Sequence, residues 1–480
     1  MRRQISIFLI AVMMTGTLAG CRQNPTDAEK QASRQNKVNL STEEMDTVPS
    51  SLPLEVTRPE GDALSADSQL YTILQKRKKW QNLWGGSDLE GESMHFAVTD
   101  FDQNGRLELL VSSGPQGSGF YTTNWLYQIS EDGTKLKQCQ YDKNVFDSCD
   151  LYESITQVVC EKDTGKYYYG CDDYTHISGD ENYSTMGLFT LADCVVQCES
   201  LGYEDIGDLN SEKDDTYYQM TGKEKKITKQ EYTLENLASS KYKKCEIKPV
   251  CIHWFQFAHR MEDVTDVQLM HALEQSWQRF GIGKKAEKTD DYEVPLDQID
   301  WEAYQYQMTD EEYRALWDFM PLLSGEAKMA VNGDWLTLDA YYRGDMPEVD
   351  SLRLQDVTGD EIPELILDIS FTNDTRTILL SRQDKKYYWY DIYNDLQDTL
   401  STAIVYDSGI VEYDWGTDYY RFHLQDEKLD KTRIAYIKET GTDIEYYIGN
   451  KKVSEEAFYD WEDEELGEEA LSFAVIAKEG

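Results

Sequence analysis

Residues 96–113 read FAVTDFDQNGRLELLVSS, and the interpretation of the whole chain starts from this stretch. Two apolar runs, at 96–98 and 107–111, flank a loop rich in side-chain oxygens. Counted from the first aspartate, these oxygens stand at positions one, three, five and nine, on Asp100, Asp102, Asn104 and Glu108. Gly105 permits a sharp turn at position six, and the carbonyl of Arg106 can point inward at position seven. The spacing predicts a β-hairpin whose loop binds a hard cation such as Ca²⁺.

The loop departs from a complete EF-hand, because position twelve is Val111 instead of a bidentate glutamate. Residues 107–111 also indicate a strand where an EF-hand has its exiting helix. The loop therefore resembles the strand-flanked calcium loops of FG-GAP-like and dockerin-like repeats, in which the ligands stop at position nine. An acidic hairpin turn without metal is the alternative, since Asp, Asn and Gly are ordinary turn residues.

A second copy of the pattern stands at residues 352–370, LRLQDVTGDEIPELILDIS. Its four oxygen-bearing positions are Asp356, Thr358, Asp360 and Glu364. Thr358 removes a charge from position three, and Glu361 replaces the turn glycine, while Gly359 stands earlier in the loop. We therefore predict metal at the first loop and leave the second loop open.

The N-terminus has the features of an export signal. Arg2 and Arg3 precede an apolar run at 5–14 that is too short to span a bilayer. Residues 18–21, LAGC, resemble the bacterial lipobox, which implies removal of residues 1–20 and a diacylglyceryl group on Cys21. Two acyl chains on one residue give stable anchoring, so we expect the chain on the extracytoplasmic face of a bacterial cell membrane. An ordinary secretory signal with a chance cysteine is the alternative.

Residues 21–65 are predicted to be a disordered tether. The segment is rich in Gln, Asn, Ser, Thr, Glu and Pro, and its few apolar residues follow no helical or strand period. Such a composition cannot bury enough apolar surface to fold. As a flexible coil it would reach about 35 Å from the membrane.

The charge balance excludes nucleic acid as a partner. The chain has 47 Lys and Arg against 90 Asp and Glu, a formal net charge of −43, and no basic cluster offsets it. Catalytic signatures such as GxSxG and HExxH are absent from the sequence. A cell-envelope or polysaccharide hydrolase is therefore only the alternative to a binding protein.

Nine cysteines are present, at Cys21, Cys139, Cys149, Cys160, Cys171, Cys194, Cys198, Cys245 and Cys251. Apart from the lipidation site, eight remain, all between residues 139 and 251, which is compatible with disulfides outside the cytoplasm. Buried free thiols are the alternative. Cys160 and Cys171 flank a predicted turn at 163–165, so they are the first expected bridge.

The order of features is the same in both halves of the chain. A predicted helix precedes each acidic loop, at 67–84 and from Thr309 to about residue 323. A Tyr-Tyr pair and a Lys-Lys pair follow, at 217–218 and 225–226 and again at 446–447 and 451–452. Each half then has a capped helix, opened by Thr228 or Ser454. We predict an α+β fold with mainly antiparallel sheets in two related modules, residues 66–283 and 284–480.

This arrangement resembles uncharacterised lipoproteins of Gram-positive, clostridial-type bacteria, and the resemblance implies location and architecture only. The sequence favours a membrane-anchored, calcium-stabilised protein that binds a cell-surface glycan or protein. A structural subunit of a membrane-bound complex is a further alternative. For that role the amphipathic helix predicted at 264–280, with Val267, Met270, Leu273 and Trp277 on one face, would supply the docking surface.

Overall fold

The acidic hairpin belongs to the first of four sheets, which are mainly antiparallel. A computed structural model describes residues 52–53, 55–81, 94–113, 122–142, 151, 154–178, 181–206, 215–220, 223–242, 244–285, 294–331, 333–343, 346–371, 374–392, 403–413, 417–425, 428–440 and 443–478. Within these ranges four sheets and seven α-helices are present. The predicted α+β class with mainly antiparallel sheets is confirmed.

The first sheet is a four-stranded antiparallel meander in the order β1-β2-β3-β4. Its strands are β1 (Met94–Thr99), β2 (Glu108–Ser113), β3 (Asn124–Ile129) and β4 (Leu136–Gln138). The acidic loop joins β1 to β2, as predicted. Each of its two central strands is paired along both edges, which holds the ends of the loop in place.

The second sheet has nine strands in the order β11-β10-β9-β8-β7-β6-β12-β13, with β5 pairing in parallel with β9. The strands are β5 (Gln140–Tyr141), β6 (Gln157–Glu161), β7 (Tyr167–Ser178), β8 (Glu181–Ala192), β9 (Val195–Asp205), β10 (Thr216–Gln219), β11 (Lys225–Ile227), β12 (Cys245–Cys251) and β13 (Gly281–Ile282). The chain therefore passes from the first sheet to the second between β4 and β5.

The third sheet follows the order β14-β17-β18-β19-β20-β15-β16. Its strands are β14 (Val294–Pro295), β15 (Met329–Val331), β16 (Asp334–Leu336), β17 (Glu348–Gln355), β18 (Glu364–Phe371), β19 (Asp374–Gln383) and β20 (Lys386–Ile392). The second acidic loop joins β17 to β18, in the way that the first loop joins β1 to β2.

The fourth sheet is a meander in the order β21-β22-β23-β24-β25-β26. Its strands are β21 (Ile404–Val405), β22 (Val411–Tyr413), β23 (Asp418–Gln425), β24 (Lys428–Thr440), β25 (Asp443–Ile448) and β26 (Lys451–Val453). A last strand, β27 (Phe473–Ala474), returns to the third sheet and pairs with β17.

The helices lie between and around the sheets. They are α1 (Ala66–Gln75), α2 (Leu234–Lys241), α3 (Asp266–Arg279), α4 (Asp310–Trp317), α5 (Met320–Leu323), α6 (Leu338–Tyr342) and α7 (Glu455–Glu465). Short 3₁₀ turns occupy Arg77–Lys79, Lys229–Glu231, Leu296–Gln298 and Ala303–Tyr306.

Helix starts agree with the sequence better than helix ends do. Thr309 forms its predicted capping box with Glu312, and Ser454 caps α7. The box at Thr228 is also present, but it opens a 3₁₀ turn, and Thr233 caps the α-helix that follows. The helix predicted at 67–84 ends at residue 75, and the one predicted to reach 323 is interrupted after residue 317. Capping is a local side-chain interaction, whereas packing decides where a helix stops.

The helix predicted at 264–280 is α3, and its buried face is turned relative to the prediction. Met270 and Leu273 are buried as expected, whereas Val267 and Trp277 are only half-buried. Leu269 and Ser276 are fully buried instead. The helix packs against β1 and α1 on one side and against the 303–306 turn on another. Little of its predicted docking face is therefore exposed.

The first sheet is covered on both faces. One face of β1 and β2, with Phe96, Val98, Leu109 and Val111, packs under α1 and α3. The opposite face packs on the second sheet. Burial on both sides explains why residues 96–98 and 109–111 are apolar on both faces of the sheet, and it places the polar side chains of these strands in a buried environment. The third sheet is covered in a similar way, by helices on one face and by the fourth sheet on the other.

In each of the two Tyr-Tyr strands, the two tyrosine side chains lie on opposite faces of the sheet. Tyr217 packs on Tyr232 beside α2, and Tyr446 packs on Phe458 of α7. The second tyrosine of each pair stacks on a tyrosine of the neighbouring strand: the ring centroids lie 4.7 Å apart for Tyr203 and Tyr218, and 4.6 Å apart for Tyr436 and Tyr447. Alternation along a strand requires this division.

The expected Cys160–Cys171 bridge is wrong. Cys160 lies opposite Tyr167 in the β6–β7 hairpin, so Cys171 is four residues further along β7, about 13 Å away. That separation exceeds the reach of a disulfide. The structure instead joins Cys139 to Cys194, a link between the first and second sheets. Cys21 and Cys149 lie outside the described residues.

The chain reverses direction between β8 and β9 at Asp193 and Cys194. Both residues have left-handed backbone, with φ of 51° and 58°. Two consecutive left-handed residues form the tight turn that suits the twist of a β-hairpin, and neither is the glycine that usually marks such a turn.

Residues Pro49–Gly480 form one compact unit. Contacts link the two halves inside it: Gln268 Nε2 donates to the carbonyl of Met308 over 2.8 Å, and His259 Nε2 lies 2.8 Å from Glu312 Oε2. The division into modules 66–283 and 284–480 stays a prediction.

Candidate metal centre

The first acidic loop is folded around the carboxylate of Asp100. Its Oδ1 accepts a hydrogen bond from the backbone N–H of Asn104 over 3.0 Å, and its Oδ2 accepts one from Gly105 over 3.1 Å. Gln103 and Gly105 are left-handed, with φ of 55° and 80°. These two turns curl the chain around the first carboxylate, which is the conformation predicted from the spacing.

Three carboxylates converge inside this loop. One oxygen each of Asp100, Asp102 and Glu108 lies within 4.8 Å of the other two. Among the described residues, these three side chains form the group whose geometry could hold a metal ion. Calcium in proteins takes six to eight oxygens at about 2.3–2.6 Å, and convergent carboxylates supply its strongest ligands.

Glu108 is the most constrained of the three carboxylates. It is fully buried, because β2 lies between the α1–α3 layer and the second sheet. Its Oε2 accepts from the backbone N–H of Phe101 over 2.6 Å, and its Oε1 accepts from Gln128 Nε2 over 2.8 Å. Burial raises the pKa of Glu108 well above its ordinary value, and the charge of Asp102 raises it further.

The other two carboxylates are perturbed in the same direction. The pKa of Asp100 is raised, mainly by burial, and Asp102 adds to the shift. Burial also raises the pKa of Asp102, which the Gln128 amide and the positive charge of Arg106 partly oppose. Three carboxylates that all resist ionisation when the loop is empty are a favourable environment for a divalent cation.

Gln128 was not identified from the sequence, although it holds the site together. It lies directly opposite Glu108 in the β2–β3 pairing. Its Nε2 donates to Asp102 Oδ2 over 3.1 Å as well as to Glu108. A buried glutamine between Tyr127 and Ile129 in an apolar strand was the available signal, because buried amides need partners.

Two buried oxygens beside these carboxylates lack hydrogen-bond partners in the described part of the chain. They are Asp102 Oδ1 and Thr99 Oγ1. Thr99 is fully buried and lies directly opposite Glu108 in the β1–β2 pairing, so its side chain is on the same face. A buried oxygen without a partner costs about 1–3 kcal/mol, a penalty that a bound cation or its water would relieve.

Helix α1 fixes the far side of the loop through Gln69. Its Nε2 donates to the carbonyl of Gly105 over 2.9 Å, and its Oε1 accepts from the backbone N–H of Leu107 over 2.7 Å. The same Nε2 donates to the carbonyl of Leu64 over 2.8 Å. One buried amide therefore connects the loop to the segment that precedes α1, and the sequence contained no sign of this contact.

The two remaining predicted ligands have other contacts. Asn104 is exposed, its Oδ1 accepts from the backbone N–H of Arg106 over 2.8 Å, and its Nδ2 donates to Asp102 over 2.7 Å. The guanidinium of Arg106 donates to the carbonyl of Ile129 over 3.5 Å. Asn104 therefore shapes the loop with its amide, and an inward carbonyl at Arg106 stays a prediction.

The second acidic loop repeats the backbone of the first. Asp356 accepts from the backbone N–H groups of Gly359 over 2.6 Å and of Glu361 over 2.8 Å. Glu364 accepts from the N–H of Val357 over 2.9 Å, as Glu108 does from Phe101. Positions four and six are again left-handed, with φ of 78° at Gly359 and 67° at Glu361. The glycine has exchanged one left-handed position for the other, so the loop keeps its shape.

The chemistry of the second loop differs at position three. Thr358 Oγ1 donates to Glu364 Oε1 over 3.2 Å. The side chain of Asp360 contacts the backbone of its own loop, where its Oδ1 accepts from the N–H of Ile362 over 3.0 Å. Burial raises the pKa of Glu364 to about 7. A neutral hydroxyl thus occupies the place of a carboxylate, and the undecided second site has weaker support than the first.

No helix in the described residues is both long and apolar enough to cross a membrane. The predicted lipobox and its cysteine, Cys21, lie outside those residues. No protein-family model matches the chain, and a search of curated proteins found no significant match. Any function for this chain must therefore be argued from its own residues.

Proposed function

We propose that this chain is a lipid-anchored extracytoplasmic binding protein whose first acidic loop holds a structural Ca²⁺. The observation that carries the metal proposal is the convergence of Asp100, Asp102 and Glu108 within 4.8 Å. Their oxygens, the raised pKa of each carboxylate and the unpartnered Thr99 hydroxyl all favour a divalent cation.

The ion's proposed role is structural. The loop connects the edge strand β1 to the central strand β2 of the first sheet, and Gln69 and Gln128 attach it to α1 and β3. A cation that neutralises three crowded carboxylates removes their mutual repulsion in the folded state and has no comparable site in the unfolded chain. Binding therefore stabilises the fold by mass action. Loops of extracellular modules bind calcium with dissociation constants of about 10⁻⁴–10⁻³ M.

The lipid anchor and the extracytoplasmic location rest on the sequence. The arginine-led apolar run and LAGC at 18–21 support them. Mass spectrometry of the chain purified from membranes tests this part: a diacylglyceryl group on the N-terminal Cys21 is expected, and Cys21→Ala should release the protein from the membrane. An intact, unmodified N-terminus would contradict the anchor.

Scanning calorimetry with millimolar Ca²⁺ or with chelator tests the metal centre. We expect the first-loop variant Asp100→Ala/Asp102→Ala to lose the calcium-dependent rise in melting temperature that the unmodified chain shows. Asp142→Ala/Asp163→Ala removes the same charge outside both loops and should keep the rise. The calcium proposal fails if the unmodified chain melts at one temperature in both conditions.

A further inference from the structure

A cleft of about 430 Å³ opens beside the metal loop. One side of the cleft belongs to the first sheet and includes Arg106 and Gln128, which also belong to the metal centre. The opposite side is the β8–β9 turn, with Asp193 and Cys194. Pockets of this size are typical of small-ligand sites, and this one is immediately next to the cation site.

A row of side chains leads from the metal centre into the cleft. Strand pairing places Thr99 opposite Glu108, Glu108 opposite Gln128, and Gln128 opposite Lys137. Directly paired residues of antiparallel strands have side chains on one face, about 5 Å apart. The carboxyl group of Glu108 is therefore about two strand spacings from Lys137, which lies in the cleft.

The cleft is rigid where the sheets meet. The Cys139–Cys194 disulfide joins the end of β4 to the β8–β9 turn. The backbone N–H of Gln140 also donates to the carbonyl of Cys194 over 3.1 Å. A ligand therefore meets two walls already fixed relative to each other, which reduces the entropy cost of binding.

The cationic side chains of the cleft are available to a ligand. Arg106, Lys135 and Lys137 form no salt bridge within the part of the chain that the structure describes. Both lysines are exposed, on a chain whose formal net charge is −43. Three cations without salt bridges favour an anionic group on the ligand, although the guanidinium of Arg106 also donates to the carbonyl of Ile129. Three carboxylates also line the cleft, on Glu131, Asp132 and Asp193, and they are acceptors suited to hydroxyl groups.

We propose that this cleft binds a carboxylate-bearing saccharide of the uronate class, and that calcium at the neighbouring loop strengthens the binding. The carboxylate lies on Arg106, Lys135 and Lys137, and the sugar hydroxyls donate to Glu131 and Asp193. Without calcium, the ionised carboxylates of the loop repel the ligand's charge, and bound calcium removes most of this repulsion. This inference rests on the proposed function for its calcium dependence alone.

The coupling must be reciprocal. If calcium raises the affinity for the saccharide by a given factor, the saccharide raises the affinity for calcium by the same factor. We expect about tenfold, which is typical of coupling energies between neighbouring sites.

Titration calorimetry of the full chain with a galacturonic acid disaccharide, and with the neutral galactose disaccharide, tests the proposal. We expect the galacturonic acid disaccharide to bind in the presence of calcium, with an affinity about tenfold lower in chelator. In calcium, its affinity should be at least tenfold higher than that of the neutral disaccharide. Lys135→Ala/Lys137→Ala should lose about tenfold in acid affinity and keep the calcium-dependent melting shift. The matched variant Lys225→Ala/Lys226→Ala changes two exposed lysines of β11 and should behave like the unmodified chain.

The outcomes separate the cleft from the metal centre. Equal affinity for the acidic and neutral disaccharides, or no effect of the cleft lysines, overturns the proposal even if calcium still raises the melting temperature. Tighter binding of an acidic peptide such as tetraglutamate than of the uronate also overturns it. A third outcome is uronate binding that depends on the cleft lysines but not on calcium, together with no calcium-dependent melting shift. That outcome refutes the metal proposal and supports the cleft proposal.

Discussion

Thr358 donates a hydrogen bond to Glu364 over 3.2 Å, at the two positions that Asp102 and Glu108 hold in the first loop. The hydroxyl satisfies the buried glutamate from inside the loop and adds no charge. In the first loop a second carboxylate stands there, and Gln128 from another strand must bridge the pair. One side chain therefore distinguishes a loop that is satisfied by itself from a loop that favours a cation.

Thr358→Asp should give the second loop a calcium response. In chelator, the added charge beside buried Glu364 is expected to lower the free energy of unfolding by about 2 kcal/mol. Saturating calcium should recover most of that loss. Calorimetry of this variant and of the reciprocal Asp102→Thr, which should lose the response of the first loop, checks the assignment. A Thr358→Asp protein that stays destabilised in calcium would show that position three does not determine binding.

Glu364 should make stability depend on pH near neutrality. Burial raises its pKa from an ordinary value of 4.5 to about 7, so the native state holds the proton more tightly than the unfolded chain does. The stabilisation is complete below pH 4.5 and is lost as pH rises through 7. Glu364→Gln should remove this dependence and raise the free energy of unfolding at pH 8.5 by about 3 kcal/mol. Denaturant unfolding in chelator from pH 5.5 to 8.5 measures it.

The exposed neighbour Glu361 is the control for the pH experiment. Glu361→Gln removes the same charge from the same loop without changing a buried group. Its pH profile should follow that of the unmodified chain. A flattened profile for Glu361→Gln as well would assign the effect to the net charge of the loop instead of the burial of Glu364.

Gly105→Ala should lower the free energy of unfolding by about 1 kcal/mol, because the φ of 80° at this position disfavours any residue with a Cβ. An added Cβ there meets no atom within 4 Å, so backbone strain is the whole effect. Gly133→Ala should cost clearly more, since its added Cβ would lie 2.3 Å from the carbonyl oxygen of Ala63. An equal loss of stability in the two variants, measured by thermal unfolding, would mean that the segment before α1 moves away from the added Cβ without loss of stability.

Gln69→Leu should both destabilise the fold and weaken calcium binding. It removes the partner of the Leu107 N–H and of two carbonyls in a buried position, a loss of about 3 kcal/mol. The loop then loses its attachment to α1, so calcium affinity should also fall. Gln75→Leu, at the exposed end of the same helix, should stay within about 0.5 kcal/mol of the unmodified chain. Unfolding curves with and without calcium measure both effects.

Features that depend on neighbouring residues could be predicted from the sequence. The β1–β2 hairpin and the caps at Thr309 and Ser454 are confirmed. In the segment predicted as a helix at 67–84, the apolar side chains Leu70, Ile73, Leu74 and Trp80 are buried. Each of these follows from interactions within a few residues, where spacing along the chain is a sufficient guide.

The prediction failed where strand order matters. Cys139 and Cys194 are 55 residues apart in sequence and meet because β5 pairs with β9. The turn at Asp193 and Cys194 contains no glycine, so local sequence did not mark it. Gln128 and Gln69 reach the metal loop across a sheet and from a helix, and no local pattern announces either contact.

By itself, the sequence determined the spacing of oxygen donors in each acidic loop and the strands that flank them. Only the tertiary structure decided that the first loop brings three carboxylates together. Sheet packing on both faces removes water from Glu108. A carboxylate without water must be protonated, accept a hydrogen bond or bind a cation. Water is excluded by layers that are distant in sequence, so the chemistry of the loop depends on the whole fold.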